Sequence, residues 1–151
     1  MTRPTSNGVQ LALRSQMLKC DALPPSQDRV YGNTSYQPTQ GHEYIEEDYV
    51  PATSTLKGMV QNGLVEDTGL YIIRWYGVAN TGEKDLNDKI DSLLALFQAG
   101  SSIPLADNSG LVVRIRGDHA PYRGQARQAK PGFVLVVATI PYRVLSINST
   151  T

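Results

Sequence analysis

The run Phe-Val-Leu-Val-Val-Ala-Thr-Ile at residues 133–140 limits the possible folds of this chain more than any other feature, because it is apolar at every position but Thr139. A strand that shows one face to water alternates apolar and polar residues, so a run without alternation has to be buried on both faces. The segment 133–145 is therefore expected as a central strand, or as a strand whose second face is covered by another subunit. It is far shorter than the roughly 20 apolar residues needed to cross a bilayer, and no membrane partner is expected. The clearest other strand is residues 69–78, Gly-Leu-Tyr-Ile-Ile-Arg-Trp-Tyr-Gly-Val. One of its faces carries Tyr71, Ile73 and Trp75 and the other Leu70, Ile72, Arg74 and Tyr76, so both faces are again substantially apolar.

Around these strands the rest of the chain reads as an α+β arrangement. Val9, Leu13, Met17 and Cys20 recur at helical spacing over residues 8–20, with Ser6 or Asn7 as the expected cap and Pro24-Pro25 barring continuation. Residues 26–42 are polar, rich in Gly, Asn, Thr, Gln and Pro, and read as a loop or arm in which Val30-Tyr31 is a short strand. Residues 43–50 are expected as an edge or irregular strand that Pro51 ends. Residues 52–68 read as a long loop, mobile in the free subunit and ordered on contact with a partner, with Asn62-Gly63 as a hairpin tip. Leu56, Met59, Val60, Leu64 and Val65 make that segment too apolar for a linker. Leu86, Ile90, Leu93, Leu94 and Phe97 predict a helix over residues 83–99, closed by Gly100. Residues 111–117 predict a half-buried strand with Val113 and Ile115 inward, and residues 118–131 a basic loop. The expected fold is one domain over residues 1–151. Its sheet has four to five strands, mostly antiparallel or mixed, with two α-helices packed on it in the order α-β-β-α-β-β. A length of 151 residues suits one core, and a hydrophobic content of 40% excludes wholesale disorder.

The formal net charge is zero, but its parts are separated along the chain. Residues 41–70 hold Glu43, Glu46, Glu47, Asp48, Glu66 and Asp67 against Lys57 alone. Residues 111–143 hold Arg114, Arg116, Arg123, Arg127, Lys130 and Arg143 against Asp118 alone. Opposite potentials steer surfaces together, so the two regions are either ordinary solvated faces or the two halves of a head-to-tail contact between copies. On the second reading Glu43, Glu46, Glu47 and Asp48 meet Arg114, Arg116, Arg123, Arg127 and Lys130 of a neighbour.

A search for chemistry gives little. His42 and His119 have no second histidine at ligand spacing, and there is no Gly-x-Ser-x-Gly elbow, phosphate loop or dinucleotide fingerprint. Glu46-Glu47-Asp48 lacks the spaced oxygens and glycine of a calcium loop and reads as a solvated acidic edge. One cysteine, Cys20, excludes an intrachain disulfide and a multi-thiolate metal site. No catalytic residue, cofactor or metal is expected. The first residues show no secretory signal, so the chain is expected to stay in the compartment that makes it. The basic stretch 114–130 with Tyr122 suits phosphates and bases in residue type, but its charge density is modest. Direct nucleic-acid contact is not expected, and salt bridging across a protein interface is.

Several pieces in sequence order resemble the tail terminator family of long-tailed bacteriophages, the lambda-type ring proteins that cap the finished tail tube. These pieces are Tyr-Ile-Glu-Glu through Val-Pro-Ala-Thr (44–53), the strand at 69–78, and Leu-Leu-Ala-Leu-Phe (93–97). Later come Val-Arg-Ile (113–115), Ala-Pro-Tyr-Arg-Gly-Gln (120–125) and the ending Ile-Pro-Tyr-Arg-Val (140–144). The resemblance spans about residues 8–147; residues 26–42 are longer than the pattern leads one to expect. It implies a structural virion protein at the head-proximal end of the tail, assembled in the host cytoplasm. Such a subunit forms a homo-oligomeric ring, with six copies implied, ends tube polymerisation and offers a surface to neck or connector proteins. Leu56, Met59, Val60, Leu64 and Val65 would then touch the tail tube protein or the neck. A head-closure or tail-completion protein of the neck is the nearest alternative, and a small DNA-binding module using residues 114–130 is the alternative of another class.

Overall fold

The computed structural model describes residues 4–32, 34–57, 63–106 and 109–147. A first helix, α1 (Ser6–Met17), starts where the Thr5 side chain accepts a hydrogen bond of 3.0 Å from the Gly8 amide. The cap is thus one residue earlier than Ser6, and the helix stops well before Pro24. Val9, Leu13, Met17 and Cys20 are all buried, as their spacing predicts. A single 3-10 turn (Ser26–Asp28) leads into β1 (Arg29–Tyr31), β2 (Tyr44–Lys57) and β3 (Leu64–Val78). The second helix, α2 (Glu83–Ala95), follows a tight turn in which Asn80 and Gly82 have positive φ. Then come β4 (Ser102–Pro104), β5 (Val112–Ile115), β6 (Tyr122–Arg123), β7 (Arg127–Lys130) and β8 (Phe133–Ile147).

The eight strands among the described residues belong to one sheet of order β1-β2-β3-β8-β5-β4, with β6 and β7 also on the β5 side of β8. Only β1 and β2 run parallel; every other pair is antiparallel. The α+β class stands, while the expected four to five strands and the simple order α-β-β-α-β-β do not. The extra strands are short. Val30-Tyr31 does form β1, but β6 and β7 replace the expected basic loop, and Gly132 at φ 85° closes the turn from β7 into β8.

The strand β8 is central, the first of the two alternatives its composition left: β3 pairs with it from Leu64↔Ile147 to Val78↔Phe133, and β7, β6 and β5 occupy its other side in turn. Pro51 does not end the segment 43–50, whose outer side is covered by β1 at residues 45–47 and, among the described residues, is an edge beyond them. That segment is the first half of a 14-residue strand flanked by β1 and β3, and Pro51 sits at a register shift between Pro51 and Thr53. Proline lacks a donor, and a bulge is where the ladder can spare one. The expected long loop 52–68 is also corrected, because residues 53–57 and 64–68 are the paired ends of β2 and β3, with Ala52 in the bulge. Asn62, Met59 and Val60 lie outside the described residues.

Strand alternation divides the side chains. Tyr71, Ile73 and Trp75 of β3 and Val136, Ala138, Ile140 and Tyr142 of β8 pack with Leu13 and Met17 of α1 and with Ile90 and Leu93 of α2. Among the described residues neither α1 nor α2 packs on the other face. At one end Tyr44 stacks on Tyr76 at 4.5 Å between ring centroids, with Phe133 and Leu135 beside them and Tyr36 tilted against Tyr44 at 5.0 Å. The Tyr36 hydroxyl donates to Asp28 at 2.8 Å, and burial together with that carboxylate pushes its pKa up to about 12. Beyond this aromatic end the open face continues over Asp48, Leu70, Ile72, Arg74, Val137 and Arg143, half-buried and with no element across it among the described residues.

Candidate functional site: the charged open face and the β2–β3 arm

The acidic residues divide between the two faces of β2. Glu47 points to the helices and is 2% exposed. Gln10 Nε2 donates to its Oε1 at 2.9 Å, Arg14 donates from Nε at 2.9 Å and from Nη2 at 2.6 Å, and the Tyr71 hydroxyl also donates to it. Gln10 and Arg14 lie four residues apart on α1 and so reach the same carboxylate. The Glu47 hydrogen bond raises the Arg14 pKa; burial, then Glu47, raises that of Tyr71. The Arg14 guanidinium also lies 4.3 Å from the Tyr31 ring centroid. Glu47 is thus a core group that fastens α1 to the sheet, and its expected place in a contact between copies is corrected. Glu43 is likewise engaged, accepting from Lys89 Nζ at 2.8 Å and from Trp75 Nε1 at 3.3 Å.

Glu46 and Asp48 lie on the open face. Asp48 is paired with Arg74 one strand away. Glu46 stands opposite Arg74 in the ladder and acts on Lys130 through space, without a hydrogen bond or ion pair of its own among the described residues. The basic residues follow a similar division. Arg116 pairs with Asp118 at 2.6 Å and holds the Asp118 carboxyl down to about 2. Arg123 approaches Asp91 at 3.6 Å and bonds Asn87. Lys130 donates to the Tyr44 hydroxyl at 3.0 Å and lies 5.1 Å from the Tyr76 ring centroid. Arg114 and Arg127 are exposed and form no ion pair or side-chain hydrogen bond among the described residues. Arg114 also stands directly opposite Arg143 in the ladder, a like-charge pairing that a sheet disfavours. Arg143 has Glu66 at 3.6 Å.

Of the apolar arm residues, Leu56 is 47% and Leu64 42% exposed, and Ile147 opposite Leu64 is 52% exposed. Val65 faces inward and is buried, so it leaves the expected contact set. Sequence reasoning missed Ile147, which lies beyond the strand expected over residues 133–145. No group of three or more His, Cys, Asp or Glu side chains is placed to hold a metal among the described residues, and no described helix is long and apolar enough to cross a membrane.

Fold and surface together define a small α+β protein with uncompensated arginines and half-buried apolar residues on an open sheet face and exposed apolar residues at the paired ends of β2, β3 and β8. Residues 8–142 match the phage tail terminator protein family, and the chain belongs to that family. It is therefore a structural protein of the phage tail. A solved structure with 15% sequence identity superimposes with a TM-score of 0.64 over 99% of this chain and 99% of its own, a likeness of fold alone. No curated protein sequence matches.

Proposed function

We infer that the protein closes the head-proximal end of the tail as a ring of identical subunits, ends tube polymerisation there and presents a surface to neck proteins. The observation that carries this reading is the open face. Two arginines without an ion pair or side-chain hydrogen bond among the described residues, Arg114 and Arg127, share it with Glu46 and with the half-buried apolar residues Leu70, Ile72 and Val137. Copies using two different patches close into rings when the rotation permits, and family membership favours six. The contact set becomes Glu46 against Arg114 and Arg127; Glu43 and Asp48 are engaged within the chain and contribute to the local field. Leu56 and Leu64 at the arm are the proposed contact with the tail tube protein. The test is solution mass with negative-stain imaging, alone and with tail tubes. Rings of about six times 16.5 kDa that block tube growth support the reading. A 16.5 kDa species at tens of micromolar under both conditions overturns it.

A further inference from the structure

The outer edge of β2 is covered for a short distance only. β1 pairs with Ile45, Glu46 and Glu47, and no described strand pairs with residues 48–57 on that side, although β3 pairs with them on the other. Residues 50–56 are all exposed. An uncovered edge of that length offers unpaired backbone donors and acceptors to another chain unless proline, charge or a covering element blocks it. Here Pro51 and its bulge interrupt the edge once, and Thr-Ser-Thr-Leu beyond the bulge are mostly strand formers. A cleft of about 220 Å³ opens beside the bulge on the helix side, between Thr5 and Ser6 at the start of α1 and Pro51, Ala52 and Thr53 of β2. Strand addition works in this way, with main-chain bonds along an edge and a pocket that takes an alternate side chain.

We propose that the β2 edge of one copy receives the β7 edge of the next, so that the sheet runs on across the subunit boundary. This deepens the ring reading and rests on it. Several features select β7 as the occupant. Among the other edges, β1 and β4 have three residues each, β4 ends on Pro104, and β6 has two, whereas Arg127–Lys130 gives four without proline. β7 lies on the opposite side of the β3–β8 pair from β2, as a contact that repeats head to tail requires. The register Arg127↔Leu135 and Gln128↔Val134 puts Arg127 on the open face, where Glu46 and Asp48 lie, and Gln128 on the helix side, where the cleft offers Thr5, Ser6 and Ser54 beside Val9, Tyr49 and Tyr142.

The experiment mixes two singly labelled proteins, both in a Cys20→Ser background: one with Ser54→Cys or Leu56→Cys, which share the helix side with Gln128, the other with Gln128→Cys. Expected is a disulfide between the two kinds of chain under mild oxidation in assembled samples, absent in diluted monomer. In parallel, Thr55→Pro and Leu56→Pro are compared, because neighbouring amides point to opposite sides of a strand and one of the two substitutions removes an outward donor alone. That variant should keep the melting temperature of the parent and lose assembly at least tenfold in concentration. Rings that persist with neither cross-link nor proline effect overturn the edge pairing and leave the ring standing. A parent protein that stays monomeric overturns both.

Discussion

Glu47 shows how one residue's role can be hidden by its neighbours. In the string Glu46-Glu47-Asp48 it reads as surface charge, yet it alternates with Ile45 and Tyr49, and the buried Ile45 marks the inward face. That parity was the available signal, together with Gln10 and Arg14 one helical turn apart; charge density concealed both. Breaking a buried ion pair on one side leaves the other charge without compensation, at a cost of about 3–5 kcal/mol. Glu47→Ala is expected to lose that much in urea unfolding, and the double change Glu47→Leu with Arg14→Met to recover much of it. A loss under about 1 kcal/mol in the single variant would contradict the assignment. Asp118 gives a milder test. Arg116 holds its pKa near 2 against an ordinary 3.8, so whatever the pair contributes is present above pH 3.8 and disappears as pH falls through 2. Carboxyl NMR should place the Asp118 titration near 2 in the parent and near 3.8 in Arg116→Gln. An unchanged low value in that variant would remove Arg116 as the cause.

At the scale of elements, long strands were legible where the pattern was strong and short ones were not. Residues 133–145 called for a strand buried on both faces, either central or covered by another subunit, and became β8, whereas β6 and β7, with two and four residues, are too short for periodicity to register. The ends of β2 and β3 were hidden by Pro51 and by the glycine signals Lys57-Gly58 and Asn62-Gly63, and the proline is compatible with strand because it sits at a bulge. The arm depends on Gly69, since a Cβ there would lie 2.5 Å from both the Tyr142 hydroxyl and the Val50 carbonyl oxygen. Because one of those atoms is backbone, Gly69→Ala forces the β2–β3 ladder to shift and should cost about 1–3 kcal/mol or more in denaturant melts. A neutral outcome would mean that the strands separate there at little cost. Hydrogen exchange tests the arm directly. Amides at 64–68 lie in a strand with neighbours on both sides and should be protected in the isolated chain. Outward amides at 53–57 should exchange quickly until another strand covers them. Uniformly fast exchange across both strands would restore the mobile loop that the composition suggests.

For the molecule as a whole, a formal charge of zero conceals an uneven settlement. Most of the acidic region is neutralised inside the chain: Glu47 by Arg14, Glu43 by Lys89, Asp48 by Arg74 and Glu66 by Arg143. The sequence-level separation into an acidic and a basic region therefore overstates the field between copies, because linear separation says nothing about which side chains the fold brings together. What remains for a neighbour is small and specific: Arg127 and Arg114 on the basic side and Glu46 on the acidic side. Exposed complementary charge acts mainly on encounter and register, so its removal should slow and weaken assembly without unfolding the subunit. Arg127→Glu is expected to raise the assembly concentration about tenfold at low salt, the scale of a modest coupling between charges. Glu46→Lys in the same chain should bring it most of the way back, because each interface then regains one opposite pair. At about 1 M salt, where the screening length is near 3 Å, the single and double variants should converge on the parent. Light scattering over a dilution series at two salt concentrations reads all of these. Loss of assembly that Glu46→Lys does not repair and salt does not erase would place the neighbour of Arg127 elsewhere on the subunit.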